Sequence, residues 1–227
     1  RKNPQQLLVG SSGVEYALCS HWQQDSLTNR STVPHITKEA NRYMIIAGSC
    51  SPGTAQQIQH GLSLGYTGIR MSSERLIDSS TQEISSCTEA CLKALSEGSV
   101  PILFSALGPD DPCIQATKDI LNRVGRRGDS IGARLGGAQG AVLKNIIDQT
   151  GKLRVTVAGG DTSGFVTKAL GIHALEVLVP IAPGAPLCVA HSKDERYDGL
   201  EMALKGGQNG NFQYFEFVQL GKATYEE

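Results

Sequence analysis

Several broad protein classes are excluded by what the chain lacks. No apolar run approaches the length needed to span a bilayer, so no membrane partner is expected. There is no excess of positive charge: 21 Lys and Arg stand against 22 Asp and Glu, a net charge of −1. That leaves no basic field to hold a nucleic acid or an anionic surface. No two cysteines form a CxxC pair, and a chain of this size needs no disulfide staples. The six, Cys19, Cys50, Cys87, Cys91, Cys113 and Cys188, are scattered through expected strands and helices. Cys87 and Cys91 would share a helix face, but no His or Cys cluster supplies further metal ligands. The cysteines read as small buried residues in a reducing cytosol, which makes the expected location cytoplasmic. The sequon Asn29-Arg30-Ser31 would matter only in a secreted protein. The chain opens at Arg1 with no signal peptide after it, which reads as a piece of something longer.

What is present is an ordinary globular composition, 40% hydrophobic and 19% charged over 227 residues. Apolar runs alternate with longer helical patterns, the signature of βαβ units. The expected fold is α/β, a three-layer sandwich with a mainly parallel sheet flanked by helices, forming one domain over 1–227. Strands are expected at Leu7–Gly10, Tyr43–Ser49, Gly68–Met71, Pro101–Ala106, Arg154–Gly159, Leu175–Pro180 and Leu187–His191. Helices are expected at Val14–Trp22, Thr54–Leu64, Gln82–Glu97, Pro112–Val124, Gly132–Gln149, Thr162–Leu170 and Asn211–Leu220. In the helix over 54–64, Ala55, Ile58 and Leu62 fall at helical spacing and Gln56, Gln57 and Gln59 face out. Residues 23–42 read as an exposed connection, and "GRRGD" at 125–129 as a solvated loop.

Three expected strands run into turns of small residues: Gly10-Ser11-Ser12-Gly13, Gly48-Ser49-Cys50-Ser51-Pro52 and Gly159-Gly160-Asp161-Thr162-Ser163-Gly164. Ligands collect outside the carboxyl ends of strands in open parallel sheets. Three such turns could offer backbone N–H groups and hydroxyls to phosphate oxygens. Any one of them is equally explained by capping of the next helix, with Thr162 or Ser163 as the cap in the third. None matches GxxxxGK[ST] or GxGxxG. A fourth segment, "GLEMALKGGQNG" at 199–210, reads as a short helix stopped by glycine, with Lys205 suiting its dipole. That leaves the double glycine and Gln208 over, as a flexible loop that could close on a nucleotide. His21, His35, His60, His173 and His191 are dispersed without evident partners and are left out of the site.

In order, "LLVGSSGVEYAL", "GSCSPGTAQQI", "SIGARLG", "AGGDTSGFVTKALGI" and "MALKGGQNG" resemble the carboxy-terminal half of the four-carbon acid sugar kinases. That family was long catalogued as a domain of unknown function. The resemblance spans roughly residues 7 to 220. It implies a kinase whose amino-terminal domain, with a "DDLTG"-type acidic motif absent from this chain, holds the acid sugar. The carboxy-terminal domain would bind ATP. By the same resemblance, ATP contacts fall on Ser49 and Ser51, on Gly159, Gly160, Asp161 and Thr162, and on Gly206 and Gly207. Ser11, Ser12 and Lys205 stand outside that set. The chain departs from relatives at Asn209-Gly210-Asn211 and in the loop at 125–129. As hypotheses of role, the Gly159-Gly160 backbone would cradle phosphate and Thr162 would offer its hydroxyl to phosphate or Mg²⁺. Asp161 would either hold Mg²⁺ through water or cap its helix. A homo-oligomer is compatible with the sequence. Rival readings are a sugar-phosphate isomerase or binding domain, and a non-enzymatic nucleotide-binding module.

Overall fold

A computed structural model of the chain describes residues 7–24, 34, 36–124 and 131–223. The GRRGD segment, the sequon and His35 lie outside the described residues. The chain divides into two compact units, Arg1–Val33 and Pro34–Glu227. In the first, α1 covers Ser12–Gln24. The expected strand at Leu7–Gly10 does not form, and residues 7–10 have no regular structure. A strand needs a neighbour to take up its N–H and C=O groups, and among the described residues this unit contains no second strand.

The second unit holds a seven-stranded sheet in the order β2-β3-β1-β4-β7-β6-β5. Its strands are β1 Tyr43–Ala47, β2 Thr67–Arg70, β3 Pro101–Phe104, β4 Arg154–Ala158, β5 Ile172–Ala182, β6 Ala185–Ser192 and β7 Leu200–Lys205. Strands β2, β3, β1, β4 and β7 pair in parallel, and β6 and β5 extend the sheet antiparallel at one edge. The helices are α2 Pro52–Ser63, α3 Ser73–Asp78, α4 Ser80–Ser96, α5 Pro112–Arg123, α6 Ile131–Thr150, α7 Gly160–Ala169 and α8 Tyr214–Leu220. Alternation along β1 makes the layers. Met44 and Ile46 join a core with α4, α6 and α7 on one face, through Cys87, Cys91, Val142, Ile146 and Val166. Tyr43, Ile45 and Ala47 join a second core with α2 and α8 on the other, through Ile58, Tyr214 and Val218. That is the expected three-layer α/β sandwich.

The segment 199–210 differs from expectation. Leu200–Lys205 is a strand, paired with β4 on one side and β6 on the other. Its residues are strong helix formers, so local propensity favours a helix. Hydrogen bonding on both edges and burial of Leu200, Met202 and Ala203 override it. Gln57 also departs from the outward face assigned to it: it is fully buried. Its Nε2 donates to the carbonyls of Asn209, Gly210 and Asn211 at 3.1, 3.3 and 2.9 Å. Among the described residues no helix is long and apolar enough to cross a membrane.

Candidate functional site

The chain reverses direction across the sheet between β1, whose successors β2 and β3 lie on one side, and β4 on the other. Such a switch point opens a crevice at the carboxyl ends of the two strands. The turns after β1, β4 and β7 meet there. Gly48 N and Ser49 N both donate to Ala158 O, at 3.0 and 3.1 Å, and Gly159 N donates to Lys205 O at 2.8 Å. Ser51 Oγ donates to Gly207 O at 2.6 Å. Three of the expected segments are thus hydrogen-bonded neighbours; the Gly10–Gly13 turn lies in the first unit.

Two glycines are required by this geometry. Gly159 has φ 126°, a conformation L side chains rarely adopt, and a Cβ there would lie 3.1 Å from Ser49 N. A Cβ on Gly207 would come within 2.6 Å of Ser49 Oγ and 2.8 Å of Ser51 Oγ. The third turn starts α7 with Gly159 in the cap position and no side-chain cap bond. Thr162 and Ser163 therefore do not cap: Thr162 is buried inside the first turn, and Ser163 Oγ donates back to Gly159 O at 2.8 Å. Asp161, exposed as the second residue of the helix, does not cap it either. The uncapped N–H groups and the positive end of the helix dipole suit an anion. Ser51, by contrast, does cap. It accepts from Thr54 N at 3.2 Å at the start of α2, where Pro52 takes the first turn.

Three polar residues were not in the expected set. Gln139 on α6 is fully buried, and neither of its amide atoms has a hydrogen-bond partner. It crowds, with Thr162 Oγ1, the space where a Gly48 side chain would stand. It occupies the apolar stripe of α6, where no local signal marks it. Thr54 is fully buried and Lys205 is 2% exposed. Lys205 Nζ donates to Thr54 Oγ1 at 3.1 Å and lies 3.4 Å from Gly207 O. Burial lowers its ammonium to about 8. The sequence reading of Lys205 as a helix-end cation is replaced by a buried strand-end cation.

A largely apolar cavity of about 410 Å³ opens beside Gly48 and Cys50, lined by Ala106, Pro109, Ile114 and Leu135 among others. Burial, with Asp111 beyond it, pushes the Cys50 thiol up, so it is no ready nucleophile. A second hollow of about 330 Å³ lies at the opposite ends of the strands, between Lys38, Arg42, Arg154 and Glu201. Among the described residues no group of three or more His, Cys, Asp or Glu could hold a metal. Histidines read as dispersed do have partners: His60 pairs with Glu216 at 2.9 Å and His191 with Glu176 at 3.4 Å. Both pairs lie apart from the glycine turns.

The chain is 37% identical over 216 residues to a 3-oxo-isoapionate kinase of Paraburkholderia graminis, covering 94% of this chain and 46% of the relative. It is 26% identical over 216 residues to a 3-oxo-tetronate kinase of Pectobacterium atrosepticum, covering 94% and 48%. The chain therefore spans about half the length of these curated relatives. A crystal structure of a Haemophilus influenzae protein from a family of unknown function shares the fold. Its TM-score is 0.65 at 22% identity, over 87% of this chain and 44% of that one. The family model for the nucleotide-binding C-terminal domain matches residues 44–215, the stretch that carries all three glycine turns, and the chain belongs to that family.

Proposed function

We propose that this chain binds ATP with Mg²⁺ as the nucleotide-binding part of a kinase acting on a hydroxyl of a four-carbon acid sugar. The substrate would be of the erythronate, threonate or 3-dehydrotetronate type. The observation that carries the reading is the meeting of three glycine turns at the switch point, ahead of an uncapped helix N-terminus. The kinase names of the relatives support the reaction class. Because the chain spans about half of those relatives, the acid sugar would be held mainly by a domain outside it, and this chain would be the carboxy-terminal half of a two-domain enzyme. Its six free thiols suit the reducing cytoplasm, where carbohydrate metabolism would use such an enzyme.

Phosphoryl transfer asks the protein for positioning and charge stabilisation. The free N–H groups of Gly160, Asp161 and Thr162 would receive phosphate oxygens, with the buried Gln139 amide completing its hydrogen bonds to the same ligand. Ser49 and Ser51, beside the Gly206-Gly207 loop, would border the phosphate chain, and the apolar cavity next to Cys50 would admit the base. One exposed carboxylate, Asp161, stands at the cradle with no side-chain partner among the described residues. A single carboxylate with phosphate oxygens and waters is a donor set Mg²⁺ accepts. When bound, Mg²⁺ would neutralise phosphate charge.

Thermal unfolding with added ligand tests this. Binding to the folded state stabilises by about 2.7 kcal/mol when ligand exceeds Kd a hundredfold. Mg-ATP and Mg-ADP are expected to raise the melting midpoint, and sugar phosphates to leave it in place. The reverse pattern would sink the kinase reading. Robust phosphorylation of threonate by this chain alone would overturn the division of labour between domains.

A further inference from the structure

Three donors converge on one backbone oxygen. The carbonyl of Gly207 accepts from Ser51 Oγ at 2.6 Å, and lies 3.4 Å from both Thr54 Oγ1 and Lys205 Nζ. Two hydroxyls and an ammonium are more donor capacity, and more positive charge, than a neutral carbonyl needs. Thr54 and Lys205 are both buried. The ammonium has no carboxylate beside it among the described residues; its other contact is Thr54 Oγ1. A charge buried against neutral oxygens is costly unless something compensates it. This donor set has the composition of an oxyanion site.

The segment that fills it is built to leave. Gly206-Gly207-Gln208 hangs between two fixed points. On one side Lys205 O is held by Gly159 N at 2.8 Å within the sheet. On the other, the Gln57 amide grips the carbonyls of Asn209, Gly210 and Asn211. Between these clamps stand two residues without side chains, so the peptide at Gly207 can swing while both flanks stay in place.

We propose that Ser51, Thr54 and Lys205 form a binding site for one phosphoryl oxygen, occupied in the free chain by the Gly207 carbonyl, which the ligand displaces. The proposal rests on the nucleotide reading above and adds two residues, Thr54 and Lys205, that the glycine pattern alone does not single out. It also makes the Gly206-Gly207 loop a plug that opens, rather than a fixed wall of the site.

Proton linkage supplies a readout that a purely structural lysine would not move. The ammonium sits at about 8 in the free chain because of burial. Titratable groups on the elements around it are Cys50 before α2, Cys188 on β6 and Asp161 on α7; among the described residues Nζ bonds only Thr54 Oγ1 and Gly207 O. An oxyanion arriving at Nζ favours the protonated form. Binding at pH 8.5 should therefore take up a proton, and binding at pH 6.5 should not.

The experiment is calorimetric titration of the 227-residue chain with Mg-ADP, inorganic phosphate and adenosine, in buffers of different ionisation enthalpy at both pH values. Wild type is expected to show proton uptake with Mg-ADP at pH 8.5 and none with adenosine. Lys205→Met should weaken Mg-ADP by about 10- to 100-fold, abolish the uptake and leave adenosine unchanged. Lys205→Arg should retain part of the affinity without the uptake, and Thr54→Val should show a smaller loss. Phosphate alone reproducing the uptake would assign the site to any phosphoryl group. Wild-type binding of Mg-ADP without uptake, or Lys205→Met binding it as wild type does, overturns this inference and leaves the nucleotide reading standing. Failure of wild type to bind any nucleotide overturns both. The wild-type proton count needs no variant, so a misfolded substitution does not rescue the idea.

Discussion

Strands β4 and β7 lie side by side and each carries one buried cation, at opposite ends of the pair. Arg154 begins β4 and is 3% exposed; Lys205 ends β7 and is 2% exposed. Arg154 has its donors matched. Nε gives to Glu201 Oε2 at 2.6 Å, Nη1 to the carbonyls of Val218 and Gln219 at 2.8 and 3.0 Å, and Nη2 to Lys38 O at 3.0 Å. A carboxylate balances its charge, and the network ties β4 to β7, to the end of α8 and to the segment before β1. Lys205 has two neutral oxygens and, among the described residues, no counter-charge. The same contrast extends to the surroundings: on the Lys205 side the buried Gln139 amide has neither atom hydrogen-bonded among the described residues, and α7 starts without a side-chain cap bond. Polar groups that serve folding are satisfied by the fold. Groups left under-satisfied in an otherwise matched structure mark where a ligand completes the set.

The sharpest way to break this comparison is to remove each cation. Arg154→Met leaves Glu201 and three carbonyls without their donor, and should cost about 3–5 kcal/mol of stability in urea unfolding. Nucleotide affinity of the folded fraction should be unchanged. A variant as stable as wild type would show that Arg154 is not the framework residue argued here.

Lys205 should behave in the opposite sense. Its ammonium falls from an ordinary 10.5 to about 8 on folding. Between those values the unfolded chain holds a proton that the folded chain has released, so stability rises with pH across the window. The gain is at most about 3 kcal/mol, and the burial cost is fully present below pH 8. In Lys205→Met that rise disappears. Unfolding of both proteins at pH 7 to 10 should show the wild type gaining on the variant as pH increases. A constant difference would mean that the lysine does not lose its proton on burial.

The layers, most of the strand and helix positions and the glycine turns after β1 and β4 were legible in the sequence, because periodicity and turn chemistry are local. What escaped was decided by distant partners. Leu200–Lys205 is written in helix-forming residues and becomes a strand because β4 and β6 flank it. Leu7–Gly10 is written as a strand and stays irregular without a partner. Gln57 looks like an outward polar residue and Gln139 carries no local signal; only the fold reveals that one clamps a loop and the other stands with Thr162 beside Gly48. Thr54 and Lys205 are ordinary residues in sequence, and their meaning depends on a carbonyl more than 150 residues from Thr54.

Adjacent glycines offer a finer division of the cradle. Gly159→Ala imposes a side chain on φ 126° and against Ser49 N, and should cost about 1–3 kcal/mol along with nucleotide affinity. A Cβ on Gly160 meets nothing within 4 Å, so Gly160→Ala should leave the fold intact. Loss of Mg-ADP affinity in that variant alone would mean that the ligand approaches the backbone there. Full affinity would confine the cradle's glycine requirement to Gly159.

The smallest effect on stability belongs to Asp161, which the structure removes from capping and whose proposed Mg²⁺ role a binding measurement tests. Because α7 has Gly159 at its cap position and no side-chain cap bond, Asp161→Ala removes only an exposed acid near the positive end of the helix dipole. The ligand-free melting midpoint should fall by about 3 °C or less. If the carboxylate serves Mg²⁺, the variant should bind ADP more weakly than wild type in Mg²⁺ and equally well in EDTA. Equal losses in both buffers would assign Asp161 to the nucleotide itself. Unchanged binding in both would remove it from the site, leaving the backbone N–H groups, Gln139 and the Ser51–Thr54–Lys205 donors to hold the phosphates.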